Sequence, residues 1–153
     1  MKNLNEILHK VAIQQVFGAT DIGVQNLIFD SRKVAKNDVF VAQKGVSVDG
    51  HSYIEKAINL GAIAIVCEVF PLDKKEGITY VKVDNANVAL AFMAANFYNN
   101  PSKKMPLVGV TGTNGKTTIA SLLYQLFKKA GYKVGLLSTV KIMVDEGAFQ
   151  ATH

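Results

Sequence analysis

Residues 107–130 constrain this chain more than any other stretch. Leu107-Val108-Gly109-Val110 is a short apolar run of strand character, and Thr111-Gly112-Thr113-Asn114-Gly115 is a loop carrying two glycines. A helix is predicted from about Lys116, because Ile119, Leu122, Leu123, Leu126, Phe127 and Ala130 recur at helical spacing and form one apolar stripe. Gly131 follows as a C-terminal stop. A strand, a glycine loop, then Gly-Lys-Thr opening a helix is the arrangement of a phosphate-binding P-loop.

The chemistry accounts for the spacing. Gly112 and Gly115 let the backbone bend and approach phosphate oxygens without an intervening Cβ. Successive N–H groups of residues 112–118 (Gly112, Thr113, Asn114, Gly115, Lys116, Thr117 and Thr118) then line an anion nest at the positive end of the helix. Lys116, the candidate catalytic residue, reaches the β- and γ-phosphates of ATP, and the Thr117 hydroxyl is the candidate Mg²⁺ ligand. The strict pattern asks for glycine at 110, where this chain has Val110. A chance glycine turn before a helix is the bland alternative. The apolar run ahead and the amphipathic helix behind favour a nucleoside triphosphate site.

Length and composition set the frame. The chain has 153 residues, enough for one ordinary domain or two small ones, and 49% of them are apolar against 19% charged. No apolar run reaches the length of a membrane span, and the N-terminus lacks a secretory apolar core, so no membrane partner and a cytoplasmic location are expected. A single cysteine, Cys67, excludes an internal disulfide and lies in an apolar run, as a buried structural thiol would. The net charge of +5 comes from scattered pairs such as Lys74-Lys75, Lys103-Lys104 and Lys128-Lys129, without a recognition motif. Solvated charge explains these, and nucleic acid is not an expected partner.

Taken in order, residues 3–11 read as a helix with Asn3 as N-cap, Glu6 as its partner, and Leu4, Ile7, Leu8 and Val11 on one face. Residues 24–30 and 39–42 read as strands, separated by a turn through Lys36-Asn37. After a loop over residues 44–50, Ser52 and Glu55 form a predicted capping box, and Gly61 ends the helix that follows. Strands are predicted at 63–67 and 78–83, the former continuously apolar as in a sheet covered on both faces. A helix over 86–98 carries Ala89, Phe92, Met93 and Phe97 on one side, and Asn99-Asn100-Pro101-Ser102 breaks it. The expected fold class is α/β. A small N-terminal α/β domain (residues 1–84) and a connecting helix and linker (85–102) precede the truncated start of a Rossmann-like parallel P-loop domain (103–153).

Residues 133–138 read as a further strand, parallel to 107–110 if a right-handed crossover joins them. Two strands and one helix do not make a covered parallel sheet. After Lys116 the only acids are Asp145 and Glu146, in an apparent hairpin turn. A fragment of a longer protein, itself inactive, is therefore expected, with self-association as one way to protect the open sheet edge.

The chain resembles the N-terminal part of the Mur ligase family, nearest to the members that add the third residue of the peptidoglycan stem peptide. The resemblance rests on Asp30-Ser31-Arg32, on the Gly45 loop with Asp49-Gly50-His51, on Gly61-Ala62 and above all on residues 111–118, TGTNGKTT. Members of this family also carry a non-glycine at the position of Val110. The resemblance implies an ATP- and Mg²⁺-dependent amide-forming ligase, monomeric as a whole protein. It would join diaminopimelate or lysine to UDP-N-acetylmuramoyl-L-Ala-D-Glu through an acyl phosphate, in peptidoglycan biosynthesis. It further implies that the first domain binds the uridine diphosphate end of the substrate through Phe29, Ser31, Val46, Ser47 and Val48. By the same resemblance, Thr152 and His153 begin a loop that touches the dipeptide. From the residues alone, Asp30-Ser31 is a strand-terminating turn, Arg32 pairs with Asp30 or Asp49, Asn114 shapes its loop, and His51 is a structural or surface histidine. The alternatives are the D-Ala-D-Ala-adding Mur ligase, another P-loop ATPase or kinase, and a non-catalytic UDP-sugar-binding module.

Overall fold

The computed structural model describes residues 1–45, 48–144 and 147–150, the last three as backbone alone. It contains two compact units, Met1–Met105 and Pro106–His153, each described by itself.

The elements of the first unit are β1 (Lys2–Asn3), α1 (Leu4–Ile7), β2 (Ile13–Phe17), β3 (Gly23–Val24), β4 (Leu27–Ile28), β5 (Val39–Val41), α2 (Ile54–Asn59), β6 (Ala64–Cys67), β7 (Thr79–Val83) and α3 (Ala86–Phe97). Its main sheet has the order β2-β7-β6-β5-β4. The last four are parallel neighbours, and β2 closes one edge antiparallel to β7. Side-chain alternation explains why both faces are apolar. Val39, Val41, Ala64, Val66, Val81 and Val83 face one side, where Leu4, Ile7, Ala86, Ala89 and Met93 of α1 and α3 cover them. Phe40, Ile65, Cys67 and Tyr80 face the other, under Ile54 and Ala57 of α2. The layers are helix, sheet, helix, as expected where parallel strands connect through crossovers.

Several elements differ from the sequence reading. Helix α1 stops at Ile7, and Lys10 takes a left-handed φ of 62°, so residues 8–11 leave the helix. Asn3 is its N-cap, accepting from Asn5 N–H at 2.9 Å. The predicted strand 24–30 is shared between two sheets: Gly23–Val24 pairs with β1, and Leu27–Ile28 with β5. The break falls at Gln25, whose N–H turns to the Asn37 carbonyl at 2.8 Å. The Ser52–Glu55 capping box does not form. The chain enters α2 through a 3-10 turn, Gly50–Tyr53, capped by the Asp49 carboxylate on His51 N–H, and no side chain caps α2 itself. On α3, Phe92 is 47% exposed and so is not on the buried side with Ala89 and Met93. Strand β2 had no counterpart in the sequence reading. Its residues are all exposed, so no inside–outside alternation marks it.

The second unit comprises α4 (Lys116–Lys129), β8 (Gly135–Leu137), β9 (Lys141–Val144) and β10 (Gly147–Gln150). The expected strand at 107–110 is absent among the described residues, and Leu107 and Val108 are 70% and 67% exposed. Strand β8 is therefore not parallel to it. It pairs antiparallel with β9, which pairs antiparallel with β10. A tight turn joins β8 to β9, where Ser138 Oγ donates to the Lys141 carbonyl at 2.8 Å and accepts from Lys141 N–H at 3.1 Å. A hairpin partner so close in sequence costs little loop entropy, whereas a parallel partner needs a long crossover. Asp145 and Glu146, placed in a turn by the sequence reading, lie outside the described residues. The stripe predicted to be the core face of α4 is largely open: Ile119, Leu122 and Leu126 are 50%, 59% and 61% exposed. Tyr124 is the buried residue of this helix.

Candidate functional site

Two sites emerge, one in each unit. In the second, residues 111–115 form an irregular loop that enters α4 through Gly115. Gly115 has φ +77°, a left-handed conformation that glycine adopts without penalty. Crowding does not demand glycine there, since an added Cβ would meet no protein atom within 4 Å. No side chain caps α4. The N–H groups of Lys116, Thr117 and Thr118 belong to its first turn and have no intrahelical acceptor. They leave a positive helix end open to an anion. Lys116 folds back over the loop, its Nζ donating to the Gly112 carbonyl at 2.5 Å and the Thr113 carbonyl at 3.3 Å. The ammonium thus sits on two carbonyls of the loop itself. Gly112, Thr113, Asn114, Gly115, Lys116, Thr117 and Thr118 are consecutive in this one loop and helix start, and Thr117 is half-buried at the first turn. This donor set fits a polyphosphate. Among the described residues, no group of three or more His, Cys, Asp and Glu side chains forms a metal cluster.

The other site lies at the carboxyl ends of β4, β5 and β6. Residues 29–33 follow β4, residues 42–50 follow the neighbouring β5, and Glu68 follows β6. Loops at the carboxyl edge of parallel strands are where such sheets bind ligands. Asp30 caps the 3-10 turn Ser31–Lys33, Oδ1 accepting from Arg32 N–H at 3.1 Å. The Arg32 guanidinium grips both oxygens of Asp30, Nε to Oδ1 and Nη2 to Oδ2, each at 2.9 Å. This bidentate bond, with the backbone bond beside it, pulls the Asp30 carboxyl down to about 2 and raises Arg32 above its ordinary range. Arg32 therefore pairs with Asp30 and not with Asp49. Ser31, inside that turn, is 8% exposed, and its hydroxyl makes no hydrogen bond among the described residues. Phe29 is 57% exposed beside it.

The loop after β5 is closed by its own backbone. Gly45 N–H donates to the Val48 carbonyl at 2.9 Å, and Gly50 N–H to the Gln43 carbonyl at 2.8 Å. A Cβ at Gly50 would come within 2.6 Å of the Gln43 carbonyl oxygen, so only glycine fits. Val48 is 54% exposed. Val46, Ser47, Thr152 and His153 lie outside the described residues.

His51 ties this loop to the sheet. Its Nε2 accepts from Glu68 N–H at 3.0 Å and from Val69 N–H at 3.3 Å. Its Nδ1 lies 2.6 Å from Asp49 Oδ1. With Nε2 accepting, the ring proton sits on Nδ1 and is donated to the carboxylate, which the backbone and side chain of His51 hold below its ordinary pKa. Glu68 continues the chain, accepting from Ala86 N–H at the start of α3 at 2.9 Å. From the sequence alone His51 reads as a structural or surface histidine, and Glu68 is not singled out. A carboxylate placed just beyond a predicted strand was the available signal. Cys67 is buried, which pushes its thiol up to about 11 and agrees with the structural role expected for it.

An α/β unit with loops at its carboxyl edge, followed by a glycine loop opening a helix, is an arrangement shared with nucleotide-binding folds. Comparison with known proteins narrows this. The model of the Mur ligase family catalytic domain matches residues 23–98, and that of the Mur ligase middle domain matches residues 110–152. The chain belongs to the Mur ligase family. It is 49% identical over 151 residues to a UDP-N-acetylmuramoyl-L-alanyl-D-glutamate--2,6-diaminopimelate ligase of Cytophaga hutchinsonii, and 47% identical over 150 residues to the same-named ligase of Bacteroides fragilis. Each alignment covers 98% of this chain but 31% of the relative, so the chain spans less than a third of these proteins. Among solved structures, a ligase of that name superposes with a TM-score of 0.70 over 95% of this chain and 29% of its own, at 19% identity, a likeness of fold. The MurF ligase of Thermotoga maritima in complex with ADP matches with a TM-score of 0.52 and 33% identity, over 69% of this chain and 24% of its own.

Proposed function

We propose that this chain supplies the uridine-nucleotide unit and the phosphate loop of a ligase that adds diaminopimelate to UDP-N-acetylmuramoyl-L-Ala-D-Glu. The observation that carries this reading is the pairing, in one chain, of a Gly-Lys-Thr loop on an uncapped helix with Ser31, 8% exposed and with no hydrogen bond to its hydroxyl among the described residues, at the carboxyl edge of a parallel sheet. Identities of 49% and 47% to ligases named for that reaction support it over the D-Ala-D-Ala-adding alternative.

In this reading residues 1–84 bind the uridine diphosphate end. The Ser31 hydroxyl and the backbone near Phe29 contact it, and the loop of Val46, Ser47 and Val48 closes over it. Residues 85–102 form the connecting helix and linker, and residues 103–153 hold ATP. Gly112, Thr113, Asn114, Gly115 and Thr118 surround its phosphates with N–H groups. Lys116 leaves the carbonyls of Gly112 and Thr113 for the β- and γ-phosphates, trading two neutral acceptors for charged ones. Thr117 would hold Mg²⁺, whose chemistry is to neutralise charge on the transferred phosphoryl group. The substrate carboxylate takes the γ-phosphoryl to give an acyl phosphate and ADP. The incoming amine then displaces phosphate and forms the amide. Thr152 and His153 are assigned to the dipeptide end, and the setting is the cytoplasm, where a nucleotide-activated precursor and ATP meet.

Calorimetric titration of the chain with Mg-ATP tests the phosphate loop. Saturable binding is expected, weakened roughly tenfold or more in Lys116→Ala, about 1.4 kcal/mol per tenfold. Equal affinity in both proteins would remove Lys116 from the site.

A further inference from the structure

We propose that Asn114 is a self-modifying position, which converts to aspartate and isoaspartate in the free protein and is protected when a polyphosphate occupies the loop. The modification stands on the sequence and geometry of residues 112–116. Its protection rests on the nucleotide reading above.

Asn114 is the one asparagine in the chain followed by glycine. Both residues are exposed, and the loop around them has no regular structure. The Asn114 amide makes no hydrogen bond among the described residues. Gly115 carries no side chain, and a Cβ there would meet nothing within 4 Å, so no other part of the protein crowds the residue that supplies the attacking nitrogen. No other asparagine combines a following glycine with a free amide. Asn3, Asn26, Asn85 and Asn96 use their amides in hydrogen bonds. Asn100 precedes a proline, which has no N–H to lose. Asp49 precedes Gly50, but its carboxylate is held by the backbone and ring of His51.

The chemistry balances with water as the one co-reactant. The Gly115 nitrogen bonds to Asn114 Cγ, the Cγ–Nδ2 bond breaks, and Nδ2 leaves as ammonia with the proton from Gly115. Water then opens the five-membered imide at either carbonyl, returning a proton to the Gly115 nitrogen. One opening leaves aspartate in a normal backbone, and the other leaves isoaspartate with an extra methylene in the chain. Both put a carboxylate where N–H groups await an anion, and isoaspartate also shifts the register of the nest. A phosphate bonded to the Gly115 N–H would occupy the attacking nitrogen and fix the loop.

The test is intact mass and peptide mapping of the 153-residue chain, aged in mildly alkaline buffer with and without Mg-ATP. A gain of about 1 Da at position 114 is expected, absent in Asn114→Gln, whose longer side chain closes its ring far more slowly. At roughly ten times its dissociation constant, Mg-ATP should slow the gain about tenfold. A free peptide of residues 111–118 is the reference. If it gains mass while the chain does not, the modification is overturned. If Mg-ATP binds by calorimetry yet leaves the rate unchanged, the protection is overturned. If Mg-ATP fails to bind while the chain still gains mass, the modification stands and the nucleotide reading falls.

Discussion

His51 turns its ring into a clamp: one nitrogen accepts from Glu68 and Val69 and the other meets Asp49. That geometry requires the Nδ1–H tautomer, which ring-nitrogen chemical shifts report directly; an Nε2–H signal would contradict it. His51→Ala leaves two N–H groups without their acceptor, and an unfolding titration should show a loss of about 1–3 kcal/mol. Asp30 gives a pH signature. Its folded carboxyl sits at about 2 against an ordinary 3.8, so its contribution to stability is fully present above pH 3.8 and fades as the pH falls through 2. Asp30→Asn should be less stable than the parent at neutral pH, and the difference should shrink as the pH falls through 2 and vanish below it; a constant difference would contradict the Arg32 pairing. These residues also show what was legible. The Asp30–Arg32 pair is local in sequence and was within reach. The long-range bonds of His51 to Glu68 and of buried Asp38 to Asn26 needed the fold.

At the level of elements, apolar patterning served well wherever the partner was a covered parallel sheet. Residues 39–42, 63–67 and 78–83 read as strands from their apolar runs, and the structure buries both sides of them, Phe40, Ile65 and Tyr80 on one face and Val39, Val66 and Val81 on the other. It failed where periodicity and burial part company. β2 is an exposed edge strand, and α4 carries an apolar stripe that is mostly open. The same contrast sets mutational costs. Met93→Ala on α3, fully buried, should cost about 2–5 kcal/mol by denaturant unfolding. Leu126→Ala on α4, 61% exposed, should stay within about 0.5 kcal/mol in this chain. A large loss at Leu126 would mean that the stripe is packed in solution. The start of α4 at Lys116 was legible from the spacing, whereas the parallel strand expected ahead of the loop is absent among the described residues, because strand pairing depends on which partner lies alongside.

Across the molecule, burial is uneven. Among the described residues, every buried side chain except Tyr124 and Leu136 belongs to Met1–Met105. Hydrogen exchange should therefore find its slowest amides in β5, β6, β7 and α3, and uniformly fast exchange in α4 and β8. The functional account likewise divides between a uridine-nucleotide unit and a phosphate loop, and the first of these is its central claim. Calorimetric titration of the chain with UDP-N-acetylmuramoyl-L-Ala-D-Glu, repeated with Ser31→Ala, tests that claim most directly. The account predicts binding to the parent chain that weakens by roughly tenfold in the variant, about 1.4 kcal/mol. Equal binding in both would remove Ser31 from the site, and no binding in a chain that still takes Mg-ATP would contradict the assignment of the first unit.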